Sequence, residues 1–190
     1  MAAFDFDAAL RWARFAPRRP LVRRPDSALP FVREDDPGGQ ALLLDTCVYI
    51  DLMRDRAPGI VDRLLEARHV NHSTVAVQEL MHVVGVLDPR DPRTAAAIAE
   101  IGRHIRAMHA YRVFVPEADV LGRAALLAGI LCRVNGYAAD SRQRALHDCV
   151  LFLQALRLGY TVLTNNIGDY DYLLQLVPAG RVLFYRRKPG

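Results

Sequence analysis

The sequence predicts an α/β fold with a central, mostly parallel sheet of about five strands, flanked by helices and preceded by an N-terminal extension. Three observations lead there. Short apolar runs recur along the chain without the apolar/polar alternation of a half-exposed strand, so they read as strands buried on both faces. Helix-length segments separate them, as crossover connections between parallel strands require. Before residue 40, by contrast, Pro17, Pro20, Pro25, Pro30 and Pro37 break every periodic pattern, and Pro37-Gly38-Gly39 is a loop signal.

The division that follows is an Arg/Pro-rich arm over residues 1–39 and an α/β body over 40–190. The arm reads as extended, with a short helix near 6–15 where Leu10, Trp12 and Phe15 can dock. Strand one is 41–45, followed by helices at 48–54 and 58–68. A short strand at 69–72 ends at Ser73 or Thr74, either a good N-cap for the next helix. Asp88-Pro89 and Asp91-Pro92 punctuate the chain before a helix at 93–109. Residues 111–115 form a third strand and 117–134 a long helix ending at Asn135-Gly136. The polar segment 137–144 reads as a loop. A helix over 147–158, a strand at 160–164, a short helix at 170–176 and a strand at 181–185 complete the chain.

With 190 residues the chain can bury one full core, and hydrophobic content of 52% with 24% charge is ordinary for a globular domain. No apolar stretch reaches bilayer-spanning length and the N-terminus lacks a signal-peptide core, so the expected location is cytoplasmic. Cys47, Cys132 and Cys149 form no C-x-x-C pair and read as small buried hydrophobes. Net charge is +4, and no acid interrupts the run from Arg11 through Arg14, Arg18, Arg19 and Arg23 to Arg24. That distribution favours a polyanionic partner, with the arm adding to binding rather than to chemistry.

The chemistry is carried by isolated acids placed where apolar elements end or open. Asp45 closes the first strand, Glu79 is the one acid of the helix after Ser73, and Asp148 stands in the otherwise apolar segment H-D-C-V-L-F-L. A lone carboxylate beside a core segment is costly unless paired or bound to a cation. Crowded carboxylates raise one another's pKa until a cation neutralises them, and oxygen ligands suit Mg²⁺ or Mn²⁺ rather than zinc. Such an ion activates water and stabilises the charge built up in phosphodiester displacement. No P-loop, nucleophile elbow or G-x-G-x-x-G follows strand one, which leaves acyl transfer and nucleotide binding without support. Asp45 and Asn166 also fall at strand carboxyl ends, where open α/β sheets place their sites.

The successive segments L-L-L-D-T-C-V-Y-I-D, S-T-V-A-V-Q-E-L and H-D-C-V-L-F-L-Q-A-L-R-L-G-Y-T-V-L-T-N-N-I-G-D-Y resemble the motifs of PIN-domain ribonucleases, nearest to VapC-type toxins of bacterial toxin–antitoxin pairs. The resemblance covers about residues 41–185. It implies a PIN-like fold, RNA cleavage with Mg²⁺ or Mn²⁺, a homodimer, and a small antitoxin partner. Asp45, Glu79 and Asp148 match the family's first three acids, and its closing pattern falls on Thr164, Asn166 and Asp169. The implied catalytic set is Asp45, Glu79, Asp148 and Asn166. The metal set is Asp45, Glu79, Asp148 and Asp169; the Asn166 position is aspartate in many relatives, so either Asp169 supplies the missing carboxylate or Asn166 acts through its amide oxygen. Thr164, Arg142 and Arg144 are candidate phosphate contacts.

Blander readings stand beside these. Asp148 can simply favour its helix N-terminus, an effect of roughly 0.3–1 kcal/mol, and Asn166 or Asp169 can be ordinary cap residues. His72, His82 and His147 read as structural or surface histidines, and Asp51 as solvated. The rival functions are a PIN-like domain that binds RNA or protein without cutting, and a housekeeping nuclease acting on RNA or DNA. Surplus apolar surface on the helices at 58–68 and 117–134 further suggests an isologous dimer.

Overall fold

A computed structural model describes residues 4–34 and 38–188. The expected loop at Pro37 and the acids Asp35 and Asp36 lie outside the described residues. Strands β1 (Leu42–Leu44), β2 (Val70–Ser73), β3 (Val113–Phe114), β4 (Thr161–Thr164) and β5 (Val182–Phe184) form one sheet in the order β3-β2-β1-β4-β5. Every pairing is parallel, as the unbroken apolar runs require. β1 lies at the centre, its three leucines buried and its register fixed by Leu43 opposite Asn71 and Val162.

Helices cover both faces. One core layer forms around Leu43, Val162, Val182 and Phe184 with α6 (Ala118–Asn135), α7 (Ala139–Leu158) and α8 (Ile167–Leu176). The other forms around Leu42, Leu44 and Leu163 with α2 (Thr46–Met53), α3 (Gly59–Ala67), α4 (Thr74–Val86) and α5 (Thr94–Ala107). Ser73 caps α4 by accepting from the Val75 amide, so the predicted helix start holds. Gly136 takes φ 66° and closes α6, the left-handed conformation a C-terminal glycine tolerates.

Two local expectations need correction. Residues 139–144 are not loop: α7 begins at Ala139, and Arg142, Gln143 and Arg144 are the exposed side chains of its first turns. Asp148 therefore sits mid-helix, which removes the N-terminal dipole as its explanation. Asp51 is not solvated but fully buried, because the carboxyl-terminal segment folds over it.

The arm packs on the body. A short helix α1 (Phe6–Leu10) and a 3₁₀ turn (Arg11–Phe15) lie against α6. Trp12 and Phe15 join the core periphery, and Arg123 of α6 stacks 5.1 Å from the Trp12 ring. Leu10, expected to dock with them, stays 50% exposed. Gly122 of α6 leaves the room that the Phe4 ring needs, since a Cβ there would stand 2.2 Å from it. The apolar face of α6, read as a dimer surface, is thus covered in part by this chain's own arm.

The basic stretch is fastened too. Asn135 and Leu21 exchange side-chain and backbone hydrogen bonds, and Arg24 donates through its backbone N–H and Nε to the fully buried Asp171 at 2.8 and 2.6 Å. Further on, Pro30 and Val32 bond to Phe184, which caps the open edge of β5. Asp171→Ala is expected to cost about 1–3 kcal/mol through the lost charge-assisted bonds. It should also make residues 17–34 the first protease target. An unchanged melting temperature and digestion pattern would show that the arm is held elsewhere.

Candidate active site

The carboxyl ends of β1 and β4 open into a cavity of about 530 Å³ lined by Asp45, Glu79, Asp148, Asn166 and Asp169. Four different elements deliver these side chains. Asp45 ends β1 as the N-cap position of α2, and Glu79 comes from the second turn of α4. Asp148 projects from mid-α7, and Asn166 and Asp169 open α8 behind β4. The structure therefore brings together all three acids singled out in the sequence, with both candidates for a fourth group.

Asp45 is only 4% exposed and Asp148 5%. Burial pushes the Asp45 carboxyl above its ordinary range, and hydrogen bonds from Thr164 and Cys47 oppose the shift. Asp148 is raised well above that range, first by burial and then by the charges of Asp45, Asp169 and Glu79, with Arg144 opposing. That mutual influence is the electrostatic signature of acids gathered at one place.

Short-range bonds hold them. Thr164, fully buried, donates its hydroxyl to Asp45 Oδ2 at 2.5 Å and accepts from the Asn166 amide at 2.9 Å. Its hydroxyl is committed to positioning Asp45, whereas the sequence suggested a phosphate contact. Asn166 donates its side-chain amide to Asp148 Oδ2 and Asp169 Oδ2, both at 3.0 Å, bridging two carboxylates that would otherwise repel. Asn166 also caps α8, its Oδ1 accepting from the Asp169 amide. The cap and ligand readings are therefore compatible. Thr46 donates to Glu79, whose other oxygen meets His147 Nδ1 at 2.9 Å.

The two predicted arginines separate. Arg144 lines the acidic cavity, while Arg142, two residues earlier on α7, lines a different one between α6 and α7 beside Ala125 and Cys132. Sequence reading missed several neighbours. His147 contacts Glu79, Tyr137 donates to Asp169, and Cys47 Sγ lies 3.1 Å from Asp45 Oδ2. Arg54, Asn165 and Arg187 complete the wall. The adjacency of Cys47 to Asp45 and of His147 to Asp148 was the only signal available for these. His72 fits its structural reading: it bonds Tyr49 at 2.6 Å, and burial pulls its pKa down to about 4.

The donor set suits a divalent cation in kind: its charged groups are hard oxygen ligands, and burial with the neighbouring acids keeps Asp148 from ionising easily. Its present hydrogen bonding is closed. Among the described residues no three His, Cys, Asp or Glu side chains already stand in a geometry that could hold a metal ion.

No protein-family model and no curated protein sequence matches the chain. Solved structures do. The crystal structure of FitAcB from Neisseria gonorrhoeae matches with a TM-score of 0.54 at 18% identity, over 76% of this chain and 96% of that one. VapBC2 from Rickettsia felis, bound to a DNA fragment from their promoter, matches with a TM-score of 0.53 at 11% identity, over 76% and 98%. DNA-bound VapBC from Salmonella typhimurium gives 0.53 at 16% identity, over 76% and 97%. At such identities the likeness establishes the fold, which is PIN-like: a five-stranded parallel sheet flanked by helices. Among the described residues no helix is long and apolar enough to cross a membrane.

Proposed function

We propose that this protein is a metal-dependent endoribonuclease, a hydrolase of RNA phosphodiester bonds, and the toxin of a type II toxin–antitoxin pair. The observation that carries the reading is the meeting of Asp45, Glu79, Asp148 and Asp169 in one cavity at the carboxyl edge of a PIN-like sheet. These four acids would hold Mg²⁺ or Mn²⁺, which when bound supplies positive charge that activates water and offsets charge on the phosphate. Asn166 keeps Asp148 and Asp169 together, Thr164 aims Asp45, and His147 with Thr46 orients Glu79. Arg144 stands at the cavity as a phosphate contact. Arg142 faces elsewhere and has a role only if RNA extends over α6 and α7.

A small antitoxin and a second copy of the chain are the proposed partners, and the cytoplasm the proposed location. Support for the partners comes from the FitAcB and VapBC structures that share this fold and from exposed Met81 and Val86 on α4, at 53% and 66% exposure. Light scattering that gives a monomer with or without the product of a neighbouring small gene would count against both. The N-terminal arm, set off from the nuclease body at about residue 39, is proposed as an RNA-binding accessory.

A second reading, a PIN-like domain that binds RNA without cutting it, is favoured by one observation. The carboxylates are already engaged by Thr46, Thr164, Asn166, His147 and Tyr137. One assay decides between them. Purified protein is expected to cleave labelled single-stranded RNA with Mg²⁺ or Mn²⁺ and to stop in EDTA. RNA that is bound but intact under both conditions would establish the second reading.

A further inference from the structure

The segment after β5 carries a charged group that the acidic cluster leaves unexplained. Asp51, on α2, is 0% exposed. The Tyr185 hydroxyl donates to its Oδ2 at 2.8 Å, the Asn165 side-chain amide donates to the same oxygen, and Arg187 Nε donates to Oδ1 and Oδ2 at 2.8 and 3.0 Å. A carboxylate taken wholly out of water is tolerable only when its oxygens are met in this way.

The consequence runs outward. Arg187 spends its Nε–H on Asp51, while its side chain remains 47% exposed and lines the same cavity as Asp45, Glu79, Asp148 and Asp169. Its two Nη groups have no hydrogen-bond partner among the described residues. A cavity walled by four carboxylates repels a polyanion, so its rim must supply cations. Arg54 and Arg144 also line it, but among the described residues Arg187 is the one of the three fixed by a buried acid. Asn165 links this fixture to the acidic side, because its backbone N–H meets Cys47 Sγ while its side chain meets Asp51.

We propose that Arg187 binds the phosphate of the RNA backbone in the candidate active site, with Asp51 as its positioning residue; the inference rests on the nuclease reading above. A guanidinium presents paired N–H groups whose spacing matches two phosphate oxygens. Held from behind through Nε, it meets them already oriented, in the cavity that the acids also line. There it stabilises the negative charge that builds on the non-bridging oxygens as the phosphodiester is attacked.

The test is single-turnover cleavage of labelled single-stranded RNA with Mn²⁺ by the wild type and by R187Q, R187K and the double variant D51N/R187Q. R187Q is expected to lose about 10²-fold in rate at saturating RNA. R187K should recover only part of it, because an ammonium lacks the fork. R187Q alone leaves Asp51 buried without its cation and can lose stability. The double variant removes both charges, and should melt near the wild type yet cleave as slowly as R187Q. In a further variant, R187A, whose truncation leaves room for it, millimolar guanidinium is expected to restore part of the rate. A wild-type rate in R187Q, or recovered activity in the double variant, would overturn the proposal, since Arg187 would then serve only to neutralise Asp51. A wild type that is itself inert removes the nuclease reading and this inference together, a result distinct from an active wild type with an equally active R187Q.

Discussion

Asp45→Asn is expected to lower the rate of metal-dependent RNA cleavage by about 10²–10³-fold while leaving the fold unchanged. Asparagine keeps the shape and an oxygen acceptor for the Thr164 hydroxyl, so the 2.5 Å contact that aims this side chain has a substitute. What is lost is the charge. Asp45 is the acid at the end of the central strand, and of the neighbouring charges that raise Asp148 it acts most strongly. A circular dichroism melt matching the wild type, together with lost cleavage and weakened Mn²⁺ binding in calorimetry, is the expected combination. Full cleavage by this variant would remove Asp45 from the site.

The other large effect is on stability. Asp148→Asn is expected to make the metal-free protein more stable than the wild type at pH 8, with the difference closing near pH 4. Burial and three neighbouring acids raise the Asp148 carboxyl well above its ordinary range. The native state therefore holds that proton more tightly than the unfolded chain does. Its contribution to stability is complete below the unfolded pKa and is lost as pH rises through the folded one. Asparagine cannot ionise, so the variant escapes that loss, and the melting temperature should gain roughly 2–4 °C for each kcal/mol relieved. Adding Mn²⁺ should stabilise the wild type at pH 8 and the variant much less. Equal pH slopes for the two proteins would mean that Asp148 does not sit among interacting acids.

The sheet was written in the chain locally, because strands buried on both faces must appear as unbroken apolar runs. Parallel pairing was legible from Leu42–Leu44, Thr161–Thr164 and the helices between them, whereas the strand order was not. The sequence also marked Asp45, Glu79 and Asp148, since a charge beside a buried element stands out against its neighbours wherever the chain later carries it. Helix ends signalled by local chemistry, such as the Ser73 cap and Gly136, were equally readable.

Tertiary structure decided what depends on residues far apart in the chain. Asp51 looks like a surface residue until Tyr185 and Arg187 close over it from the other end of the sequence. The basic stretch of the arm shows no anchor in its own sequence until Asp171 takes hold of Arg24. The polar start of α7 resembles a loop because its helical pattern is completed only by packing on α6. Arg142 and Arg144 are two residues apart yet line separate cavities, because such spacing on a helix turns side chains to nearly opposite faces. Local composition records what a residue costs to bury; only the assembled fold supplies the partner that meets the cost.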